Sequence, residues 1–154
     1  MIELIDLNKT SLESILLKKG YTKVKLKLTK TNHFEINATI NGVKGLFILD
    51  TGASNSCVGF EEAETFNLKA EDSEVKAAGA GATDMETKIS IKNKIKIGKW
   101  KKDKVPLILF NLTHVNTALL NYNSKPVNGI IGADILKKAK AIIDYNKKHV
   151  YLKL

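Results

Sequence analysis

Leu46-Phe47-Ile48-Leu49-Asp50-Thr51-Gly52-Ala53-Ser54 runs from four apolar residues straight into an acid and then into small residues. A run that is apolar at every position fits a strand buried on both faces. A carboxylate at the tip of such a strand is unusual, because aspartate is seldom buried without a partner. Thr51 offers a hydroxyl, and Gly52 lets backbone N–H groups approach the acid's oxygens. Asp-Thr-Gly by itself is ordinary turn chemistry, so its meaning rests on the surrounding chain.

Upstream, the period is two: Val24, Leu26, Leu28, then Phe34, Ile36, Ala38, Ile40, then Val43. Alternation of this kind predicts strands. Asn41-Gly42 between two such runs predicts a hairpin with a type I′ turn, since both residues tolerate positive φ. Its second arm, Val43 to Leu49, delivers Asp50. Further upstream, Thr10 and Glu13 have capping-box spacing, apolar residues follow at 12, 15 and 16, and Lys18-Lys19-Gly20 supplies a cationic end and a C′ glycine. These predict a short helix from about residue 11 to 19, packed outside the main domain.

Downstream, residues 60 to 68 read as a short amphipathic helix or turn and 69 to 76 as a charged loop. The small-residue run Ala77 to Ala82 precedes alternating Ile89, Ile91, Ile95 and Ile97, and then Val105 to Phe110, all expected as strands. A polar stretch from about 111 to 127 leads into Val127-Asn128-Gly129-Ile130-Ile131-Gly132. A short helix at about 135 to 139 and a hairpin joining Ala141–Tyr145 to Val150–Leu154 close the chain. The class expected is mainly β with one or two short helices. The expected division is an accessory segment over 1–21 and one domain over 22–154.

Two segments together carry a resemblance to a known family. The Leu46–Ser54 stretch resembles the active-site turn of aspartic proteases, especially the single-lobe, retropepsin-like members. Some 80 residues later, Gly129-Ile130-Ile131-Gly132-Ala133-Asp134-Ile135-Leu136 resembles the segment of two hydrophobics and a glycine that threads beside that turn. Between them, Ala78-Gly79-Ala80-Gly81 falls where the family places its glycine-rich flap, although an ordinary mobile loop would read the same way. The resemblance spans about residues 33 to 154. It implies a single-lobe closed β-barrel of the acid-protease type. It also implies a catalytic turn of Asp50, Thr51, Gly52 and Ala53, a supporting segment of Ile130, Ile131 and Gly132, and peptide or protein substrates.

One aspartate is chemically insufficient for such a mechanism, which needs one carboxylate to take a proton from water and another to protonate the substrate carbonyl. No second Asp-Thr-Gly or Asp-Ser-Gly exists in the chain. The resemblance therefore implies an isologous homodimer with Asp50 contributed twice. Carboxylates about 3 Å apart at an effective dielectric near 20 repel by about 5.5 kcal/mol, so such a pair shares one proton. Aspartic proteases are the familiar illustration of that sharing. Alanine at position 53 removes a hydroxyl that pepsin-like members offer to the ionised carboxylate, so the expected optimum is only mildly acidic; Ser54 could substitute.

Other candidates lead elsewhere. Asp134 before Ile135-Leu136 reads as a helix N-cap rather than a second acid. Cys57 reads as a small core residue, and none of His33, His114 and His149 has a spacing that pairs with it. The histidines form no metal motif, and no cofactor is expected. The net charge of +9 raises a nucleic-acid partner, yet every basic residue is lysine. Without arginine there is no planar fork for bidentate contacts, and many lysines alternate with apolar residues as on a solvated sheet face. Trp100 among Lys99 to Lys102 reads as a loop anchor. The single cysteine, acids near the N-terminus and lack of any long apolar run suit a soluble cytoplasmic protein. Two alternatives stay open beside the peptidase: a catalytically weak binding or assembly module of the same fold, and a lysine-rich polyanion binder.

Overall fold

The structure is a computed structural model that describes residues 6–73, 77–79 and 82–154. Met1–Ile5, the end of the charged loop at 74–76, and Ala80-Gly81 of the small-residue run lie outside the described residues. The chain begins with α1 (Leu12–Lys18), β1 (Tyr21–Lys25), β2 (Lys27–Leu28), β3 (Phe34–Ile40), β4 (Val43–Leu49) and β5 (Cys57–Gly59). A one-turn helix α2 (Glu62–Thr65), β6 (Glu71–Asp72), β7 (Ala77–Gly79), β8 (Ala82–Met85), and the long strands β9 (Lys88–Ile97) and β10 (Trp100–Phe110) follow. The chain then forms α3 (Thr113–Asn121), β11 (Gly129–Ile131), α4 (Ala133–Lys138), β12 (Ile142–Asp144) and β13 (His149–Lys153).

Six strands close into a barrel in the order β3-β4-β11-β5-β10-β9, with β9 returning to β3 through Thr39↔Lys96 and Ile40↔Ile95. The expected mainly β, closed-barrel architecture is the one observed. The period-two pattern explains the interior: Phe34, Ile36, Ala38 and Ile40 of β3, Phe47 and Leu49 of β4, and Val105, Leu107 and Leu109 of β10 all fall in one buried cluster. The hairpin between β3 and β4 turns on Asn41 and Gly42 at φ 50° and 84°, as a type I′ turn requires. A separate sheet, ordered β1-β13-β12, closes one end of the barrel through Val24, Val150 and Leu152.

Several local expectations are corrected. The cap of α1 is Ser11, whose hydroxyl accepts from Ser14 N–H at 3.0 Å, because Thr10 is already engaged with the Asp6 carbonyl. Glu13 pairs with Lys23 of β1 instead of completing a capping box. Along β9 the inward face does not run through all four isoleucines. Irregular register with β10 turns Ser90 and Asn93 inward and leaves Ile91 exposed. The buried Asn93 amide is satisfied by Val105 and Ser90 carbonyls and receives Asn41 Nδ2 on its own oxygen. Trp100 is no loop anchor: it starts β10 and is buried in the core. Glu71-Asp72, expected in a loop, pairs with β9. The polar stretch after residue 111 contains α3, and α4 starts two residues earlier than expected.

Candidate active site

Asp50 stands at the end of β4, where its backbone N–H donates to the Ile131 carbonyl at 2.9 Å. Its Oδ1 accepts from Gly52 N–H at 2.9 Å, and Ala53 N–H donates to the Asp50 carbonyl at 3.2 Å. The turn thus folds back on its own acid. Asp50 and Ala53 are half-buried, while Thr51 and Gly52 are exposed. Among the described residues, Gly52 is the one hydrogen-bond donor to the Asp50 carboxylate, and Ser54 does not reach it.

What holds the turn is β11, which lies between the two strands that the turn connects. It runs parallel to β4 (Gly129↔Phe47, Ile130↔Ile48, Ile131↔Leu49) and antiparallel to β5 (Gly129↔Val58, Ile130↔Cys57). The two glycines are where backbones come closest. A Cβ on Gly129 would sit 2.1 Å from the Cys57 carbonyl oxygen, and one on Gly132 would sit 2.6 Å from that of Ala53. Both positions exclude any side chain, and this accounts for the spacing of Gly129-Ile130-Ile131-Gly132.

A hydrogen-bonded staple finishes the arrangement. Ala133 N–H donates to the Ala53 carbonyl at 2.7 Å, and Gly132 N–H to Ser56 Oγ at 2.8 Å. Ser56 in turn donates to Asp134 Oδ1 from both its N–H (2.9 Å) and its hydroxyl (2.7 Å). Asp134 is therefore not the N-cap of α4; Gly132 is, and Asp134 in the first turn reaches across to the Asp50 loop. Ser56 is fully buried and was not singled out in the sequence. Its role depends on a residue 78 positions away, a pairing that no local pattern announces.

A cavity of about 140 Å³ opens beside the acid. Leu49, Asp50 and Thr51 form one wall, Asn32, His33 and Phe34 another, and Ile143 and Tyr145 a third. The His33 ring is held by Thr31 Oγ1 at 2.8 Å. Among the described residues, Asp50 is the only carboxylate in this lining. Cys57 is buried on the outer side of the barrel wall, and burial pushes its thiol up to about 12, so it is no nucleophile. His114 lies against Phe110 and His149 against Tyr151, both far in sequence from one another and from His33. Among the described residues no group of three or more histidine, cysteine or acidic side chains could hold a metal.

Of the flap residues, Ala78 and Gly79 lie on β7, which pairs with β8 through Ala77↔Met85 and Gly79↔Ala82, while Ala80 and Gly81 lie outside the described residues. Ile130, Ile131 and Gly132 all fall beside the Asp50 turn. No helix among the described residues is long and apolar enough to cross a membrane.

Comparison with known proteins agrees with this geometry. No curated protein sequence matches the chain. Among solved structures, the chain is similar to a retropepsin-like aspartic protease from Rickettsia conorii, with 21% identity and a TM-score of 0.57 over 86% of this chain and 89% of that one. It is similar to the EIAV protease solved with the inhibitor HBY-793, with 20% identity and a TM-score of 0.54 over 71% of this chain and 90% of that one. The retroviral protease-like domain of Ddi1 from Leishmania major aligns at 17% identity and a TM-score of 0.52, covering 82% and 90%. At these identities the likeness is one of fold. The family model described as aspartyl protease matches residues 36–135, well over half of the chain, and spans both the Asp50 turn and the β11 segment that clamps it. The chain therefore belongs to the aspartyl protease family, with a retropepsin-like fold.

Proposed function

We propose that this protein is a homodimeric aspartic endopeptidase that hydrolyses peptide bonds in extended substrates, using a water activated between two copies of Asp50. The observation that carries the reading is how Asp50 is held: its backbone bonds to β11, its carboxylate to Gly52, and the turn is stapled to Gly132 and Asp134. A general acid–base group needs that degree of fixation, and a carboxylate with no such task would not need a clamped strand beneath it.

In the proposed reaction one Asp50 carboxylate takes a proton from the water as its oxygen attacks the scissile carbonyl. The protonated carboxyl of the other copy donates to the carbonyl oxygen, giving a neutral diol. Collapse returns a proton to the departing amine, and no covalent enzyme intermediate forms. Thr51 braces the dimer axis, Gly52 supplies a donor to the carboxylate, and Ala78, Gly79, Ala80 and Gly81 form a flap that excludes water from the bound peptide. Ile130, Ile131 and Gly132 support the turn from behind. A single buried cysteine suits the reducing cytoplasm.

Replacing Asp50 with Asn tests the reading. With a peptide library at about pH 4 to 7, cleavage is expected to fall by about 10³-fold or more with the melting temperature little changed. Cleavage that survives the substitution removes the mechanism, and peptide binding without turnover by the wild type assigns the chain as a binding module instead. Because Ala53 adds no hydroxyl to the carboxylate, the optimum is expected to be mildly acidic. Maximal activity near about pH 2 contradicts that point.

A further inference from the structure

Strand register gathers lysines on the barrel wall at the end remote from Asp50. Pairing sets Lys44 of β4 opposite Thr39 of β3, Thr39 opposite Lys96 of β9, and Lys96 opposite Lys101 of β10. Their sequence neighbours Ala38, Ile40, Ile95, Ile97 and Trp100 all face the core, so this row points outward. Lys94 stands two residues along β9 on the same face, and all four lysines are exposed. Adjacent strands lie about 4.8 Å apart, so the four are rooted in a strip about 15 Å wide.

Folding alone gives no reason for such a row. Lysine commonly guards free strand edges, yet β3, β4, β9 and β10 each have partners on both sides within the closed barrel. Like charges directly opposite one another destabilise a sheet, and Lys96 and Lys101 are placed in that way. Acids do not offset them: Asp103 is the single acid from 87 to 110. Among the described residues the one salt bridge is elsewhere, between Lys23 and Glu13. Nearer Asp50, α3 covers the outward side chains Ile48 and Ile108 of the same wall, whereas the lysine row is bare.

The composition of the strip selects its partner. No aromatic or large apolar side chain is exposed within 37–44 or 92–104. The strip therefore has neither a platform on which bases could stack nor a wedge to enter a bilayer. Lysines are point charges without the planar fork that reads base edges. These properties match the regular phosphate array of a nucleic-acid duplex, gripped by its backbone without regard to sequence.

We propose that Lys44, Lys94, Lys96 and Lys101 form a site for the phosphate backbone of a double-stranded nucleic acid, about 20 Å along β4 from Asp50. Release of condensed counterions drives the binding, and phosphates relieve the repulsion that the row carries in the free protein. None of the four lysines lines the Asp50 cavity, so the site stands or falls independently of the peptidase reading.

Fluorescence anisotropy with a labelled DNA duplex of about 20 base pairs, between about 50 and 200 mM salt, tests the site. Four neutralised phosphates give a slope of about −3.6 for the logarithm of the association constant against that of salt. Lys96→Gln with Lys101→Gln should make the slope shallower by about 1.8 and weaken binding at about 50 mM salt at least about tenfold. Its melting temperature should be no lower than wild type, because a like-charge contact is removed. Lys96→Arg with Lys101→Arg should keep the binding. Lys137→Gln with Lys138→Gln removes equal charge from exposed positions on α4 and should leave the slope unchanged. Absence of duplex binding at about 50 mM salt, or equal effects of the two glutamine pairs, overturns the site. Tighter binding to polyglutamate or to phosphatidylserine vesicles than to the duplex also overturns it, and assigns the strip to an acidic protein or a membrane surface.

Discussion

Two segments cover the same flank of the barrel in different ways. β11 is wedged between β4 and β5 backbone against backbone, with no room for a Cβ at Gly129 or Gly132. α3 lies over the outward side chains of the same strands. Val115 and Leu119 pack on Ile48 and Ile130, and Leu112 with Cys57, Ile108 and Phe110. Asn116 ties the helix down through both its amide atoms, which bond the N–H and carbonyl of Val127 at 2.8 and 3.1 Å. The wedge is held by geometry that only glycine permits, whereas the helix is held by apolar contact that many sequences could supply. Substitutions should therefore be far less forgiving in the first segment than in the second.

The largest effect is expected for Gly129→Ala. A methyl group 2.1 Å from the Cys57 carbonyl forces β11 out of its slot, and the loss should be about 4 kcal/mol or more. For a domain of this size that lowers the melting temperature by about 10 °C, measurable by circular dichroism. A melting temperature within a few degrees of wild type would mean that the slot can widen, and the contrast between the segments would lose its basis.

Leu119→Ala probes the other segment. Leu119 is on the buried face of α3, and truncating it should cost about 3 kcal/mol through lost burial and a residual cavity. Hydrogen exchange should then speed up across 113–121 while the barrel strands stay protected, because the helix is an outer layer and the barrel closes without it. Equal loosening of β4 and β11 would show that the helix and barrel form one unit.

These two segments also mark how far the chain could be read in advance. Local rules gave the β3–β4 hairpin, because Asn41-Gly42 sits between two period-two runs and the turn chemistry is self-contained. The family resemblance, not local rules, picked out the Asp50 turn and the Gly129–Gly132 segment, whose glycines are required by backbone approach and so appear as fixed spacing. Neither gave α3. Thr113-His114-Val115-Asn116-Thr117 is poor in strong helix formers, and no side chain caps the helix at Leu112. Leu112, Val115 and Leu119 were the available signal, but they form a stripe only once the strands beneath are in place. The register irregularity in β9 was invisible for a similar reason: Asn93 belongs inside only because Asn41 and Val105 wait there to receive it. The staple from Ser56 to Asp134 likewise exists only in three dimensions.

Ser56→Ala should have an intermediate effect. The buried Gly132 N–H loses its acceptor and Asp134 loses one of two donors, for a cost of about 2 kcal/mol. Any peptidase activity should fall more than the stability change explains, since the Asp50 loop keeps only its backbone ties to α4. Loss of stability with activity per folded molecule unchanged would confine the staple to a structural role.

Cys57 offers the mildest test, and it bears on how firmly α3 is seated. Its thiol is shielded by Leu112, Val115 and Ile130, and burial raises it from an ordinary 9.0 to about 12. A proton held more tightly in the folded than in the unfolded chain makes stability fall as pH rises between those two values, by about 1.4 kcal/mol per pH unit. Below about pH 9 the thiol is protonated in both states and contributes no slope. The difference in stability between wild type and Cys57→Val should therefore be flat from about pH 7 to 9 and change steadily from about pH 9 to 11, with lysine titration cancelling in the comparison. Chemical denaturation across that range measures it. In the Leu119→Ala background the native thiol should react faster with iodoacetamide than in wild type. Equal rates would show that Cys57 is shielded by the barrel strands and not by the helix laid over them.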